Sequence, residues 1–196
     1  MVCHLPGHAD EPLIAPVTMD AIISGFRKRL AGRSLARGTV LIGESLSGLA
    51  LLGLASGPPQ GVAGVVALDP PLTIQKHRSL QSIYRKDWDE LDPIVRAYAD
   101  VFGFSVEDGR AVSEERDYRG LLSSVNIPVH IVAGGRRTLA ATPMSLLDHD
   151  DRALIRATPG VALHEMGADV GHSLLAEDLE NTARVVARIV AELAAA

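Results

Sequence analysis

The chain has 196 residues, enough for one domain of ordinary size with room for an insertion. Its hydrophobic fraction is 47% and its net charge -5, which excludes wholesale disorder and removes the basic excess that a nucleic-acid partner would need. The one cysteine, Cys3, excludes an intrachain disulfide and a cysteine-built zinc site, and no apolar run approaches the length of a membrane span.

The amino terminus has no basic start followed by an apolar core, so a soluble, cytoplasmic protein is the expectation. Residues 2–5 form a short apolar run ended by Pro6-Gly7, and read as a strand entering a loop. His4 and His8 stand four apart, but Pro6 and Gly7 between them forbid a helix, so the pair reads as loop and not as a metal site. Met19, Ile22, Ile23, Phe26 and Leu30 recur at helical spacing, with Thr18 as N-cap. A strand is expected over 39–42. Residues 46–56 are apolar on nearly all sides, as in a helix buried against a sheet, and Gly57-Pro58-Pro59 stops it. Further strands are expected over 62–68, 127–133 and 161–166. Leu179, Ala183, Val186, Val190 and Leu193 mark a carboxy-terminal amphipathic helix. Strands alternating with helices imply an α/β fold, a mostly parallel sheet with helices on both faces.

One stretch breaks the alternation. Residues 72–126 read as helical and charged, and carry Tyr84, Trp88, Tyr98, Phe102, Phe104 and Tyr118, six of the chain's seven aromatics. A crossover needs only about a dozen residues, so this is an insertion. Its aromatics either form a small core of their own or line an apolar pocket beneath a helical lid. Tyr84, Trp88, Tyr98 and Phe102 are the candidates for substrate contact. The expected division is therefore a core of 1–71 and 127–196 with a lid of 72–126.

The run Leu41-Ile42-Gly43-Glu44-Ser45-Leu46-Ser47-Gly48 takes a strand directly through Gly-x-Ser into a helix, the arrangement of a nucleophile elbow. So sharp a turn requires small residues two positions either side of Ser45, and Gly43 and Ser47 meet that. Ser45 would sit at a helix amino terminus, with the Leu46 N–H aimed at a developing oxyanion. Glu44 is either a solvent-facing elbow residue or a pocket residue. Late in the chain, Gly167-Ala168-Asp169-Val170-Gly171-His172-Ser173 follows a strand. Its glycines leave room for an imidazole to lean over a neighbouring strand end. Gly134-Gly135-Arg136-Arg137 lacks a phosphate-loop pattern.

With these motifs the chain resembles the α/β-hydrolase family. His4-Leu5-Pro6-Gly7-His8 is similar to the loop after that family's fourth strand. Tyr118-Arg119-Gly120-Leu121-Leu122, followed by Ile127-Pro128-Val129, resembles the return from the lid into the seventh. Gly171-His172-Ser173-Leu174 resembles the loop bearing the catalytic histidine. The resemblance runs from residue 2 to the last helix, and implies Ser45 as nucleophile and His172 as general base.

Two departures stand out. Where the family usually carries its acid, after the seventh strand, this chain has Arg136 and Arg137, and a cation cannot stabilise imidazolium. Some members use an acid at the end of the sixth strand, which makes Asp69 the candidate, against a purely structural role as a turn cap before proline. Asp148, Asp150 and Asp151 read as a helix amino terminus, and Asp169 as a turn former. Secondly, the family's first three strands have no counterpart, so the chain reads as truncated and lacks the loop that supplies a second oxyanion donor. Two solutions are open. Residues 2–5 pair with 39–42 to complete a five-stranded parallel sheet, bringing the 4–7 loop towards Ser45 as a substitute donor. Alternatively, a second subunit fills the edge in a homo-oligomer. The functional expectation is a serine hydrolase cleaving an ester or amide of a small, largely apolar molecule, without metal, cofactor, nucleic acid or membrane. The alternative is a non-catalytic hydrolase-like protein serving binding or assembly.

Overall fold

The computed structural model describes residues 1–74, 87–136 and 144–195. Among these residues the main sheet is parallel, with four strands in the order β1 (Thr39–Glu44), β2 (Val62–Leu68), β5 (Val129–Ala133), β6 (Val161–Glu165). The two central strands are runs of small and branched apolar residues, as strands covered on both faces must be. Val65, Val66, Ala67, Val129, Ile131 and Val132 are fully buried.

Alternation along β2 assigns its two faces. Val66 and Leu68 pack with Val132, Ile189 and Leu193, the last two from α7 (Leu179–Ala195). Ala67 points the other way, against Gly48 of α2 (Leu46–Leu54). All residues of α2 except Ser47 are buried, so its apolar circumference reflects its setting between sheet and surrounding chain. Beyond β5, α5 (His149–Ala157) packs on β6. Asp148 and Asp151 form a reciprocal capping box at its start, as the carboxylates there imply.

The α7 face also holds a pair of histidines. His130 of β5 and His164 of β6 stack with ring centroids 5.2 Å apart, and one ring nitrogen donates to the other across 3.0 Å. Burial lowers both from the ordinary histidine value. For His164 the neighbouring His130 and Arg188 lower it further, and Glu192 opposes the shift in both. A folded value below the unfolded one means that the unfolded chain binds the extra proton. Stability is then full above about pH 6.5 and lost as pH falls below it. Urea melts from about pH 7.5 to about pH 5.5 should show this loss, and His164→Gln should flatten the slope. An unchanged slope would exclude the pair as its source.

The chain divides into two packed units, residues 1–26 with 73–117 and residues 27–72 with 118–196. The boundaries thus differ from the expected 1–71, 72–126 and 127–196, because the first 26 residues pack with the insertion. Helix α1 (Met19–Ala31) runs across the division and starts where expected, the Thr18 hydroxyl accepting the Ala21 N–H at 3.1 Å.

Residues 2–5 do not form a strand, which corrects the expected five-stranded sheet. Val2 is 77% exposed, and Leu5 to Glu11 fold on themselves through consecutive backbone bonds, with Gly7 and Ala9 at positive φ. So short a run, interrupted by His4, cannot supply the continuous apolar strand that a two-sided parallel sheet requires. Among the described residues β2 is therefore the single strand neighbour of β1, and Ile42 is 49% exposed. The suggested donor from the 4–7 loop loses its basis with that pairing.

The insertion is not wholly helical either. Beside a 3-10 turn at Trp88–Glu90, α3 (Pro93–Ala97) and α4 (Ala99–Phe102), it contains an antiparallel hairpin, β3 (Phe104–Glu107) and β4 (Arg110–Ser113). The turn is Asp108-Gly109, both at positive φ, the dipeptide that two-residue hairpin turns favour.

Candidate active site

Ser45 joins β1 to α2 with φ 54 and ψ -124. A residue with a side chain pays about 1–3 kcal/mol for such a conformation, so its surroundings must impose it. The Ser45 N–H donates to the Leu68 carbonyl at 2.8 Å, and its carbonyl accepts the Leu49 N–H at 3.0 Å, tying the turn to β2 and α2. Close approach does the rest. A Cβ on Gly43 would lie 2.8 Å from the Ser47 carbonyl carbon and 2.9 Å from the Gly48 nitrogen, and one on Gly48 would lie 2.8 Å from the Gly43 oxygen. The tight contact is thus glycine to glycine. Ser47 contributes only backbone to it, which explains why serine is tolerated there. The Leu46 N–H belongs to the first turn of α2, where no intrahelical acceptor exists.

Asp69 follows β2 and is fully buried, at φ 44. Its Oδ1 accepts the Gly134 N–H at 3.1 Å and the Ser145 hydroxyl at 2.6 Å. Its Oδ2 accepts the Leu146 N–H at 2.7 Å and lies 2.9 Å from Nδ1 of His172. These four donors leave neither oxygen of the buried carboxylate without hydrogen-bond partners.

His172 completes the contact, its Nε2 lying 3.0 Å from the Ser45 hydroxyl oxygen. With the Nδ1 proton donated to Asp69, the Nε2 lone pair is left to accept from Ser45. The ring must travel to get there. It follows β6, at the opposite edge of the sheet from β1 and three strand spacings, about 14 Å, away. The loop therefore crosses the end of β5, where Gly134 and Gly135 lie. A Cβ on Gly134 would strike the Gly171 carbonyl, and one on Gly135 the Gly167 carbonyl. That close passage, and not anion binding, accounts for the two glycines. Gly134→Ala should displace the loop, lowering Ser45 reactivity about 100-fold. Wild-type reactivity with the expected melting temperature would contradict this.

The basic residue at the expected acid position has a different task. Arg136 pairs with Glu177 at 2.8 Å, and Arg137 lies outside the described residues. Glu44 is half-buried, and its Oε1 accepts the Leu175 N–H at 3.1 Å, linking the elbow to the chain after His172.

Of the aromatic candidates, Tyr84 lies outside the described residues and Trp88 is half-buried. Tyr98 is a core residue of its own unit. It is 2% exposed, its hydroxyl donates to the Pro6 carbonyl at 2.7 Å, and burial pushes its pKa up to about 12. Phe102 lies between Tyr98 and Phe104, its ring tilted against both at centroid distances of 5.9 and 6.2 Å. These contacts match the small-core alternative for both residues.

Three participants have no motif to announce them. Ser145 donates to Asp69 and accepts from a guanidinium nitrogen of Arg152 at 2.8 Å. Arg152 is 1% exposed and also reaches the carbonyls of Leu147 and Gly134 and the carboxylate of Glu165. Its spacing of three from buried Ile155 on α5 is the one sequence sign of an inward-facing cation. Glu177 binds the histidine loop through two backbone N–H groups.

A groove of about 600 Å³ lined by Arg33, Ser34, Arg37 and Gln60 lies elsewhere, by the start of β1. Ser45, Asp69 and the His172 loop all follow carboxyl ends of strands, where open α/β sheets bind their ligands. Among the described residues no group of three or more His, Cys, Asp or Glu side chains could hold a metal ion, and no helix is long and apolar enough to cross a membrane.

No protein-family model matches the sequence, and no curated protein is similar to it in sequence. Solved structures are similar in fold. A lipase-esterase related protein from Clostridium acetobutylicum superposes with a TM-score of 0.65 at 17% identity, over 93% of this chain and 79% of that one. A proline iminopeptidase from Mycobacterium smegmatis gives 0.62 at 15% identity, over 90% of this chain and 72% of that one. A monoacylglycerol lipase from Paleococcus ferrophilus gives 0.58 at 18% identity, over 97% and 81%. The chain has the α/β-hydrolase fold, with its elbow and histidine loop in that fold's chain order.

Proposed function

We propose that the protein is a serine hydrolase that cleaves an ester or amide through an acyl-enzyme. The observation that carries this reading is the unbroken chain of contacts Ser45, His172, Asp69, with the serine on a strained turn at a helix amino terminus. Nε2 of His172 takes the hydroxyl proton as Ser45 Oγ bonds to the substrate carbonyl carbon. The resulting oxyanion is met by the Leu46 N–H. Nε2 then returns the proton to the leaving alcohol or amine as the carbonyl–leaving-group bond breaks. A water, deprotonated by the same nitrogen, attacks the acyl ester and releases Ser45. Asp69 orients the ring and stabilises the imidazolium formed in each half.

The substrate in this reading is small and largely apolar. Glu44, Arg136 and Glu177, three charged side chains beside the elbow and the histidine loop, are engaged with protein groups.

A fluorophosphonate probe tests the proposal directly, since only an activated serine is phosphonylated. Labelling is expected for the intact protein at one site, and none for Ser45→Ala. An unlabelled but folded parent would favour the competing reading, a non-catalytic hydrolase-like binding protein. That reading draws on the position of β1 at the sheet edge, where the family's neighbouring strand would bring the second oxyanion donor.

A further inference from the structure

We infer that Glu177, held by Arg136, is a positioning residue that fixes His172 in line between Asp69 and Ser45. The inference rests on the hydrolase reading and adds to it a component outside the three reacting groups. The loop from Gly167 to Ser173 has no regular structure, contains two glycines and must carry an imidazole across two strand ends. Unrestrained, it would sample many ring positions, because glycine imposes little on the backbone.

Glu177 removes that freedom at the residues that matter. It is the last residue of α6 (Leu174–Glu177), and its side chain turns back over the helix start. Oε2 accepts the Gly171 N–H at 2.9 Å, and Oε1 the Ser173 N–H at 3.3 Å. One carboxylate thus grips the backbone on both sides of His172. Arg136 donates to Oε2 at 2.8 Å, and its backbone N–H donates to the Val170 carbonyl at 2.8 Å, so the loop after β5 holds both the clamp and the chain it clamps. Burial works to raise the Glu177 pKa, but the Gly171 N–H, the Arg136 guanidinium and the Ser173 N–H outweigh it and lower the value. The cation at the position where the family carries its acid therefore serves the triad indirectly, by keeping this carboxylate charged and aimed. Glu44 adds a further tether through the Leu175 N–H.

The expected consequence is kinetic. A ring displaced by about 1 Å costs on the order of 100-fold in rate, with ground-state binding little changed. Glu177→Ala, Glu177→Gln and Arg136→Gln should be compared in the full chain, with Glu180→Gln, at an exposed position of α7, as control. The readouts are fluorophosphonate labelling rate, turnover of p-nitrophenyl acetate, melting temperature, and the downfield proton resonance of the His172 Nδ1–H bonded to Asp69. Glu177→Ala should lower kcat and labelling by about 10- to 100-fold with KM within about two-fold, and should broaden or remove that resonance. Glu177→Gln keeps one acceptor but turns an NH2 towards the other donor, so it should recover only part of the rate. Wild-type kcat and an unchanged resonance in a folded Glu177→Ala or Glu177→Gln protein would overturn the inference. So would a loss confined to melting temperature. If Glu177→Ala does not fold, Glu177→Gln and Arg136→Gln decide by the same readouts. If the parent is folded but unlabelled, the hydrolase reading fails by itself, and the resonance still decides whether Glu177 positions the ring.

Discussion

Asp69→Ala is expected to slow acylation of Ser45 by about 10,000-fold and, unlike most triad substitutions, to destabilise the fold by about 3–5 kcal/mol. The two effects have separate atomic origins. Catalytically, removal of Oδ2 leaves Nδ1 of His172 without its acceptor, so neither the tautomer nor the imidazolium is favoured. Structurally, the same side chain is the acceptor for the Gly134 and Leu146 N–H groups and the Ser145 hydroxyl, all at a fully buried carboxylate. Each buried donor left unpaired costs about 1–3 kcal/mol. Asp69→Asn does not escape. Each carboxylate oxygen faces two donors, so either orientation of the amide sets its NH2 against a donor pair. Both variants should therefore show a lower urea midpoint together with slow fluorophosphonate labelling. A variant that loses labelling but melts with the parent would mean that Asp69 serves only His172. One that loses stability but labels normally would return Asp69 to the structural role of capping the turn before Pro70.

The elbow was legible because backbone strain leaves residues behind. Only glycine fits at positions 43 and 48, and a Gly-x-Ser between a strand and an apolar helix has few other uses. The histidine loop was legible for the same reason. Asp69 could be reached only by elimination, since its four donors come from positions 65 to 103 residues further along the chain, and no local pattern encodes that. The Asp108-Gly109 hairpin carried a plain local signal that the insertion's helical and aromatic composition obscured. The pairing expected for residues 2–5 failed on a non-local question, namely which segment lies beside β1, and a short apolar run does not answer it. Arg136 was visible only as an obstacle to the usual acid. Its partner Glu177 became apparent once the fold brought the β5 and α6 ends together, because long side chains interact along directions that sequence spacing does not specify.

Arg152→Met is expected to be strongly destabilising although Arg152 is not one of the three reacting groups. The guanidinium is 1% exposed and spends its donors on four partners: the Leu147 carbonyl at 3.0 Å, the Glu165 carboxylate at 2.6 Å, the Gly134 carbonyl at 2.7 Å and the Ser145 hydroxyl at 2.8 Å. Methionine fills most of the volume but offers no donor, so two carbonyls lose buried partners while Glu165 keeps Arg156. Each of these buried carbonyls left without its donor costs about 1–3 kcal/mol, which together lowers the melting temperature by about 10 °C in a chain of this size. The damage should also reach the site. Gly134 loses its carbonyl partner just where its N–H meets Asp69, and the Ser145 hydroxyl, no longer oriented by Arg152, can rotate away from Oδ1. Labelling of Ser45 should therefore fall even below the new melting temperature, by about 10-fold. Arg152→Lys separates the contributions. It retains the charge and one or two donors but not the planar fork, so it should recover part of the stability and little of the alignment. Equal recovery of both would show that charge alone, and not the fork spanning Gly134 and Ser145, is what Asp69 requires from α5.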